Sequence, residues 1–216
     1  SKVSFFGDKV SKFSHKMKFV KNLDDLFLSL LSTHQNPSSL VLNSQDDSMQ
    51  IFNYKENLNY SDYESLMMFV DSQTYLSDDI LCKVDRAAMS VSLETRVPFL
   101  DKNVVEHAWR IPANMKIRNK EGKWILKQIL NKYIPRDYTE RPKMGFGIPL
   151  GDWLRDKLKD WSETLLEENK LKNQGYFNYL EVKKLWNEHQ SKKRDWSGVL
   201  WPILIFQSWL EENSKD

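Results

Sequence analysis

The sequence predicts a mainly α-helical protein, a bundle of helices joined by short loops. Three observations support this prediction. Apolar residues recur at helical spacing along much of the chain. Ser, Asp and Asn residues stand directly before several of these apolar runs, where their side chains can cap a helix. The alternation typical of a strand is scarce, and residues 115–118 are the one weak candidate.

The N-terminal part is predicted to be a basic amphipathic helix followed by a polar loop. The first 22 residues contain six lysines against one acid, and Phe6, Val10, Phe13 and Met17 recur at helical spacing. Residues 33–48 are rich in Asn, Ser and Asp, which favours a loop. We therefore expect residues 1–48 to form a small N-terminal part and residues 49–216 to form the helical body.

Helix signals are dense in this body. Ser61 and Glu64 have the spacing of a capping box, and Ser77 is a second candidate helix start. Asp101 is placed to cap a helix that stops near Pro112. Further helices are predicted at residues 122–133, at 150–169, at 178–191 with Asn178 and Glu181 as caps, and at 196–213.

Composition excludes several classes of protein. The formal charge is +2, which argues against a dedicated nucleic-acid binder. Cys82 is the only cysteine, so an intrachain disulfide and a thiolate metal cluster are excluded. No signal peptide is visible, and the longest uncharged run, residues 196–210, is shorter than the roughly 20 residues of a membrane span. We expect a buried helix there, no membrane span, and a reducing, cytoplasmic location.

Common catalytic motifs, including the zinc, serine-nucleophile and phosphate-loop motifs, do not occur, but two stretches look unlike ordinary structural sequence. Residues 84–101 place five charged side chains among apolar ones, and buried charges must be paired. This pattern fits either an ion-pair network at a corner or a functional site. Residues 141–149 place Lys143 on a loop with Gly and Pro, which fits either a plain connection or an ammonium brought to a phosphate or carboxylate.

These stretches make the chain resemble the glutamine-hydrolysing asparagine synthase family. The similarity is carried by four segments in order: residues 75–87, 92–101, 122–127 and 141–149, followed by Trp153-Leu154. The resemblance implies the helical C-terminal half of an α/β ATP-pyrophosphatase synthetase domain whose sheet is largely absent from this chain. It also implies ATP-dependent amidation of a carboxylate, aspartate in the type reaction, through an acyl adenylate with release of AMP and pyrophosphate.

The departures from the family pattern matter equally. The N-terminal glutaminase cysteine and the S-G-G-x-D-S pyrophosphate loop of the family are absent from this sequence. We therefore expect the chain alone to be inactive and to bind neither ATP nor Mg²⁺, which serve the full-length enzyme. Its partners would be the missing glutaminase and phosphate-loop regions, with ATP, a carboxylate and ammonia from glutamine as small-molecule substrates.

The resemblance assigns roles to individual residues. Lys143 matches a lysine of the synthetase site, where an ammonium can stabilise growing negative charge. Glu94 matches a position that faces that site, and Lys143 and Glu94 are the catalytic candidates. Arg96 and Lys123 are candidates for binding an anionic substrate, while Arg96 could instead pair with Asp101 or Asp85. No metal ligand is predicted.

Other expectations concern structure or alternative functions. Asp85 and Arg86 are expected to form a structural pair, and Phe99 is expected to lie in the core. An amidotransferase of surface-polysaccharide biosynthesis that acts on a sugar acid remains an alternative. So does a standalone helical interaction module that docks a partner with its basic N-terminal and aromatic C-terminal helices. A nucleotide-binding regulator that uses Lys143 is a third reading.

Overall fold

The computed structural model describes residues 6–18, 20–34, 36–44, 62–140 and 147–213. This part of the chain is mainly α-helical, as predicted, and its only sheet has two strands. The chain divides into two compact units, one formed by residues 1–49 and 146–216 and the other by residues 50–145. The predicted boundary between residues 48 and 49 lies outside the described residues.

The elements follow one another in a simple order along the chain. The first elements are α1 (Phe6–Met17), α2 (Leu23–Leu31), α3 (Tyr63–Gln73), α4 (Cys82–Met89), α5 (Lys102–Arg110), α6 (Ala113–Lys116), β1 (Ile117–Arg118), β2 (Glu121–Gly122), α7 (Trp124–Leu130) and α8 (Arg136–Thr139). The last are α9 (Leu150–Arg155), α10 (Lys159–Leu165), α11 (Glu168–Gln174), α12 (Tyr179–Gln190) and α13 (Ser197–Asn213).

The first unit contains a well-packed hydrophobic core. Helices α9 to α13 bury the side chains of Leu154, Leu171, Val182, Leu200 and Leu204 almost completely. Burying a leucine or valine side chain stabilises a fold by about 1.5–3 kcal/mol, so this cluster is a large stabilising term. The prediction that residues 196–210 form a buried helix is confirmed, because α13 contributes several of these residues.

The N-terminal helix is joined to the next one through a lysine. The predicted helix at Phe6–Met17 is confirmed, and Val10 and Phe13 on it are exposed. The Lys16 ammonium donates to the backbone carbonyls of Ser29, at 2.7 Å, and Ser32, at 3.3 Å. Lysine near a helix C-terminus satisfies carbonyls that have no partner within the helix. At least one charge of the basic segment therefore has a structural role.

The predicted single helix over residues 150–169 is wrong. The chain forms α9, α10 and the start of α11 there, with a first break around Asp156, whose backbone leaves the helical region at φ −130° and ψ −93°. This break lets Leu154 of α9 and Leu165 of α10 both reach the core. Further on, Asn178 caps α12 by accepting from the Leu180 N–H, as predicted.

A buried imidazole connects three helices of this unit. The His189 side chain is fully buried. Its Nε2 lies 3.1 Å from the Gly151 carbonyl, and its Nδ1 lies 3.2 Å from the Trp196 backbone N–H. A carbonyl only accepts and an N–H only donates, so the ring is neutral with its proton on Nε2. Burial, reinforced by the nearby Arg155 guanidinium, lowers the pKa of His189.

The second unit begins with helices whose starts differ from the predicted ones. Asp62, not Ser61, caps α3 by accepting from the Ser65 N–H at 2.7 Å, and Ser61 lies outside the described residues. The start predicted at Ser77 is also wrong, because a π-helical stretch, Tyr75–Leu81, runs straight into α4. The Ser77 hydroxyl donates to the preceding Gln73 carbonyl, so it extends a helix instead of starting one.

The remainder of this unit is built from short elements. Asp101 caps α5 as predicted, accepting from the N–H groups of Asn103 and Val104. The strand candidate is confirmed only for its last two residues, Ile117–Arg118, which pair with Glu121–Gly122 across a turn. Helix α7 is shorter than the predicted 122–133, because Lys123 takes a left-handed backbone conformation with φ 60° directly before it.

The lowered pKa of His189 predicts a specific pH dependence of stability. The unfolded chain binds a proton below the ordinary pKa of about 6.5, while the folded chain resists it. We expect the free energy of unfolding to be highest above that pH and to fall as the pH drops from about 6.5 towards the lower folded pKa. Urea unfolding at a series of pH values measures this slope, with the His189→Gln variant as the control.

The variant should be less stable at neutral pH, because glutamine does not reproduce both ring contacts, but it should lose less stability on acidification. Equal pH slopes for the two proteins between pH 5 and 7 would contradict this assignment of His189.

Candidate functional site

The candidate site in the second unit is an open cavity of about 570 Å³. It lies between the end of the π-helical stretch, the start of α4 and the segment that leads into α5. Its apolar walls and its polar groups come from Leu81, Val84, Asp85, Thr95, Arg96, Val97, Pro98, Leu100 and Asp101. The cavity thus brings together Arg96 and two of the aspartates that the sequence marked.

Glu94 and Arg96 form an ion pair beside this cavity. The Arg96 guanidinium contacts the Glu94 carboxylate, and the side chains are 87% and 69% exposed, respectively. The sequence-based expectation that Arg96 pairs with Asp101 or Asp85 is therefore wrong. The charges of residues 84–101 do not form a buried network, because this whole segment is largely open in the second unit. Their exposure removes the need for pairing that burial would impose.

The expected pair between Asp85 and Arg86 is not formed. The Arg86 Nε donates to the Cys82 sulfur at 3.1 Å, one helical turn earlier, and Asp85 lines the cavity instead. Neighbouring positions on a helix point about 100° apart, which separates the two side chains. Phe99 was expected in the core and is 63% exposed, so that expectation is wrong as well.

Lys123 stands at the hairpin and is not among the residues lining the cavity. It is exposed, and its carbonyl accepts from the Lys127 N–H as α7 begins. Lys127 in turn lies 2.5 Å from the Glu121 carboxylate, and this hydrogen bond lowers the pKa of Glu121. Within the described residues, no hydrogen bond or ion pair joins Lys123 to Glu94 or Arg96.

Lys143, the first catalytic candidate, lies outside the described residues. The sequence also gave no role to Thr95, which the structure places in the cavity next to Arg96. The signal that could have found it is the alternation of residues 91–97, in which Val91, Leu93, Thr95 and Val97 occupy every second position.

The charged groups of the cavity decide which ligands it can bind. A guanidinium can bind a carboxylate or a phosphate with two parallel hydrogen bonds. Asp85 and Asp101 would repel a triphosphate, however, and Arg96 is already paired. The described residues also contain no group of three or more His, Cys, Asp or Glu that could hold a metal ion. The cavity thus presents the carboxylates of Asp85 and Asp101 and the guanidinium of Arg96 side by side.

One observation concerns membranes. Among the helices of the described residues, none is both long enough and apolar enough to cross a bilayer.

The family of the chain follows from comparison with known proteins. The family model for asparagine synthase matches residues 4–211, so the chain belongs to the asparagine synthase family. It is similar to the glutamine-hydrolyzing asparagine synthetase 1 of Bacillus subtilis, with 34% identity over 179 residues. It is also similar to the glutamine-hydrolyzing asparagine synthetase 3 of the same organism, with 31% identity over 98 residues.

These matches cover a much larger share of this chain than of each relative. The first match covers 83% of this chain and 27% of the relative, and the second covers 45% of this chain and 16% of the relative. The chain thus spans about a quarter of the length of the first of these relatives. No solved structure matches the chain at a significant level.

The exposure of the Glu94–Arg96 pair predicts a small effect on stability. Exposed ion pairs contribute about 0–1 kcal/mol, so Arg96→Ala should change the free energy of unfolding by less than about 1 kcal/mol. Urea unfolding of the isolated chain measures this change. The matched control is Lys102→Ala, because Lys102 is also an exposed cation and lies 3.9 Å from the Glu106 carboxylate. A loss of several kcal/mol for Arg96→Ala alone would show that the residue holds the segment together.

Proposed function

We propose that this chain is the helical C-terminal portion of a ligase that amidates a carboxylate at the expense of ATP, with glutamine as the nitrogen source. The proposed reaction converts aspartate to asparagine through an acyl adenylate and releases AMP and pyrophosphate. The observation that carries the proposal is the family match over residues 4–211. Because the reaction consumes ATP, we expect the enzyme to act in the cytoplasm.

The second unit contributes acceptor binding in this proposal. Arg96 stands at the cavity rim with its guanidinium exposed, where it can exchange the Glu94 carboxylate for a carboxylate of the substrate. Glu94 then serves to orient the guanidinium when the site is empty. Asp85 offers a carboxylate to the ammonium of an amino acid, since it lines the same cavity. Lys123 would lie at a distance from the acceptor, on the hairpin.

Lys143 supplies the positive charge that the reaction itself needs. Negative charge grows on the acyl group and on the departing phosphate during amide formation, and a preplaced cationic donor stabilises it. In this proposal the residues that hold ATP and Mg²⁺ belong to other parts of a longer protein, because the S-G-G-x-D-S phosphate loop of the family does not occur in this sequence. The isolated chain is accordingly expected to release no pyrophosphate from ATP.

The role of Lys143 can be tested in a chimera. In it, this chain replaces the stretch of the Bacillus subtilis asparagine synthetase 1 that it matches. Lys143→Ala should lower asparagine formation and pyrophosphate release on the order of a hundredfold or more, and should leave glutamine hydrolysis intact. Lys132→Ala, which removes an exposed lysine of the same unit, is the control. Both products and glutamate release are measured under saturating substrates.

Two outcomes of that experiment would contradict the role of Lys143 or the proposed function. Activity of Lys143→Ala within a few-fold of the parent chimera would make Lys143 an ordinary loop residue. A parent chimera that is folded and hydrolyses glutamine, but forms no amide, would contradict the proposed function itself.

The acceptor is the second question, and the cavity favours an amino acid over a sugar acid. Asp85 and Asp101 are suited to an ammonium group, which a simple sugar acid lacks. We expect the chimera to amidate aspartate and not glucuronate, and we expect Asp85→Asn to raise the KM for aspartate more than it lowers kcat. Amidation of glucuronate at a comparable rate would instead support the polysaccharide-type amidotransferase.

A further inference from the structure

Apolar burial is far too small for the size of the part of the second unit that the structure describes. Among the apolar residues of 62–140, only Leu66 and Val70 are buried. Eighteen large apolar side chains of the same stretch are exposed. Ordering each residue costs about 1–2 kcal/mol of conformational entropy, which two buried side chains cannot offset. The first unit, in contrast, buries a continuous cluster of a dozen apolar residues.

The exposed side chains are concentrated beside the candidate site. We call the following six residues the apolar strip; they lie between the end of α4 and the start of α5 and are 37–73% exposed: Met89, Val91, Leu93, Val97, Phe99 and Leu100. Single exposed apolar residues are normal, but six exposed apolar residues within twelve positions of the chain are a concentration of the kind that marks a surface contacting another protein or a membrane. The strip is therefore a candidate docking surface.

Three consecutive residues in the middle of the strip segment also lack backbone partners. Among the described residues, the N–H and carbonyl groups of Glu94, Thr95 and Arg96 make no backbone hydrogen bond. Val97 is extended, with φ −101° and ψ 107°, and Val91, Leu93, Thr95 and Val97, all with a methyl-bearing side chain, occupy every second position. This alternation is typical of a chain segment with one covered face. A covering element could thus receive both apolar contacts and backbone hydrogen bonds.

The charges beside the strip permit it to be covered by protein. Glu94 and Arg96 lie between Leu93 and Val97 of the strip and are paired with each other. Covering the strip therefore buries no unpaired charge. Burying an unpaired charge would be strongly unfavourable. An uncharged strip also gives no attraction to the anionic surface of a lipid bilayer, which binds clusters of Lys and Arg. A protein surface with apolar side chains is the occupant that this chemistry fits.

The lengths of the relatives indicate which protein surface this is. The chain matches 27% of the Bacillus subtilis asparagine synthetase 1, so nearly three quarters of that relative lie outside the match. We infer that the apolar strip docks on this other portion of an asparagine-synthetase-type polypeptide, an inference that rests on the proposed function. Docking buries Leu93, Val97 and Phe99, and it fixes the segment that carries Glu94 and Arg96 at the cavity.

Thiol labelling tests this inference without depending on catalysis. Leu93→Cys is made in a Cys82→Ser background, both in the isolated chain and in the chimera with the Bacillus subtilis relative. Leu180→Cys is the matched control, because Leu180 is 72% exposed on α12 in the first unit. Alkylation by iodoacetamide is followed for each site by mass spectrometry of its peptide. Val97→Cys is a second probe in case Leu93→Cys does not fold.

We expect the strip thiols to react at least about tenfold more slowly in the chimera than in the isolated chain, because burial limits reaction to local opening. Leu180→Cys should react equally fast in both. Equal rates for the strip thiols in the two proteins would overturn the inference. Slower reaction in the isolated chain as its concentration rises a hundredfold would also overturn it, in favour of a second copy of the chain.

This experiment separates the inference from the proposed function. Amide formation is therefore measured on the parent chimera, without the introduced cysteines. Protection of Leu93→Cys together with no amide formation by the parent chimera would support the docking surface and contradict the proposed reaction. Amide formation by the parent chimera together with fully reactive strip thiols would support the proposed reaction and contradict the docking surface.

Discussion

The constraint on which the whole structure depends is the unequal burial of apolar surface in its two units. Helices α9 to α13 satisfy their own apolar faces, and the resulting core includes Leu154, Leu200 and Leu204. The described part of the second unit has the helices without a comparable core, since Leu66 and Val70 are the only buried apolar residues of 62–140. Hydrophobic burial is the main favourable term in folding, and the docking inference supplies the apolar contacts that the described part of this unit does not make itself.

This constraint also explains why the candidate site is open. One side of the cavity, from Thr95 to Asp101, belongs to the segment that carries the apolar strip, and residues 94–96 of that segment make no backbone hydrogen bond among the described residues. Groups on such a stretch lack the support that holds a site in a fixed geometry. Coverage of the strip would order Arg96 and Glu94 together with it. Assembly of the synthetase and formation of the acceptor site are thus one physical event in this account.

Much of the fold could be predicted from local sequence signals. Asp101 before an apolar run fixed the start of α5, and Asn178 did the same for α12. The capping signal at Ser61 was equally clear, but it predicted the wrong cap, because the neighbouring Asp62 can also accept from the first N–H groups of α3 and does so. The single helix expected over 150–169 is broken because residues on both sides of Asp156 reach one core, which is a tertiary demand that periodicity does not show.

The site was less predictable, and for a different reason. The motif around Glu94 and Arg96 identified the right segment, but not its pairing, because the pattern of charges among apolar residues indicated burial. The same pattern misplaced Phe99 in a core. Under the docking inference, this pattern reflects burial against another portion of a longer polypeptide, which local sequence signals do not distinguish from burial within the chain. Lys143 remains a prediction, because it lies outside the described residues.

The most direct measurement of the central claim is native-state hydrogen exchange, on the isolated chain and on the chimera with the Bacillus subtilis relative. The account predicts that amides of α12 and α13 are strongly protected in both proteins. It also predicts that amides of α4 and α5 exchange quickly in the isolated chain and become protected in the chimera. Equal and strong protection of both units in the isolated chain would contradict the account, because the second unit would then be stable on its own.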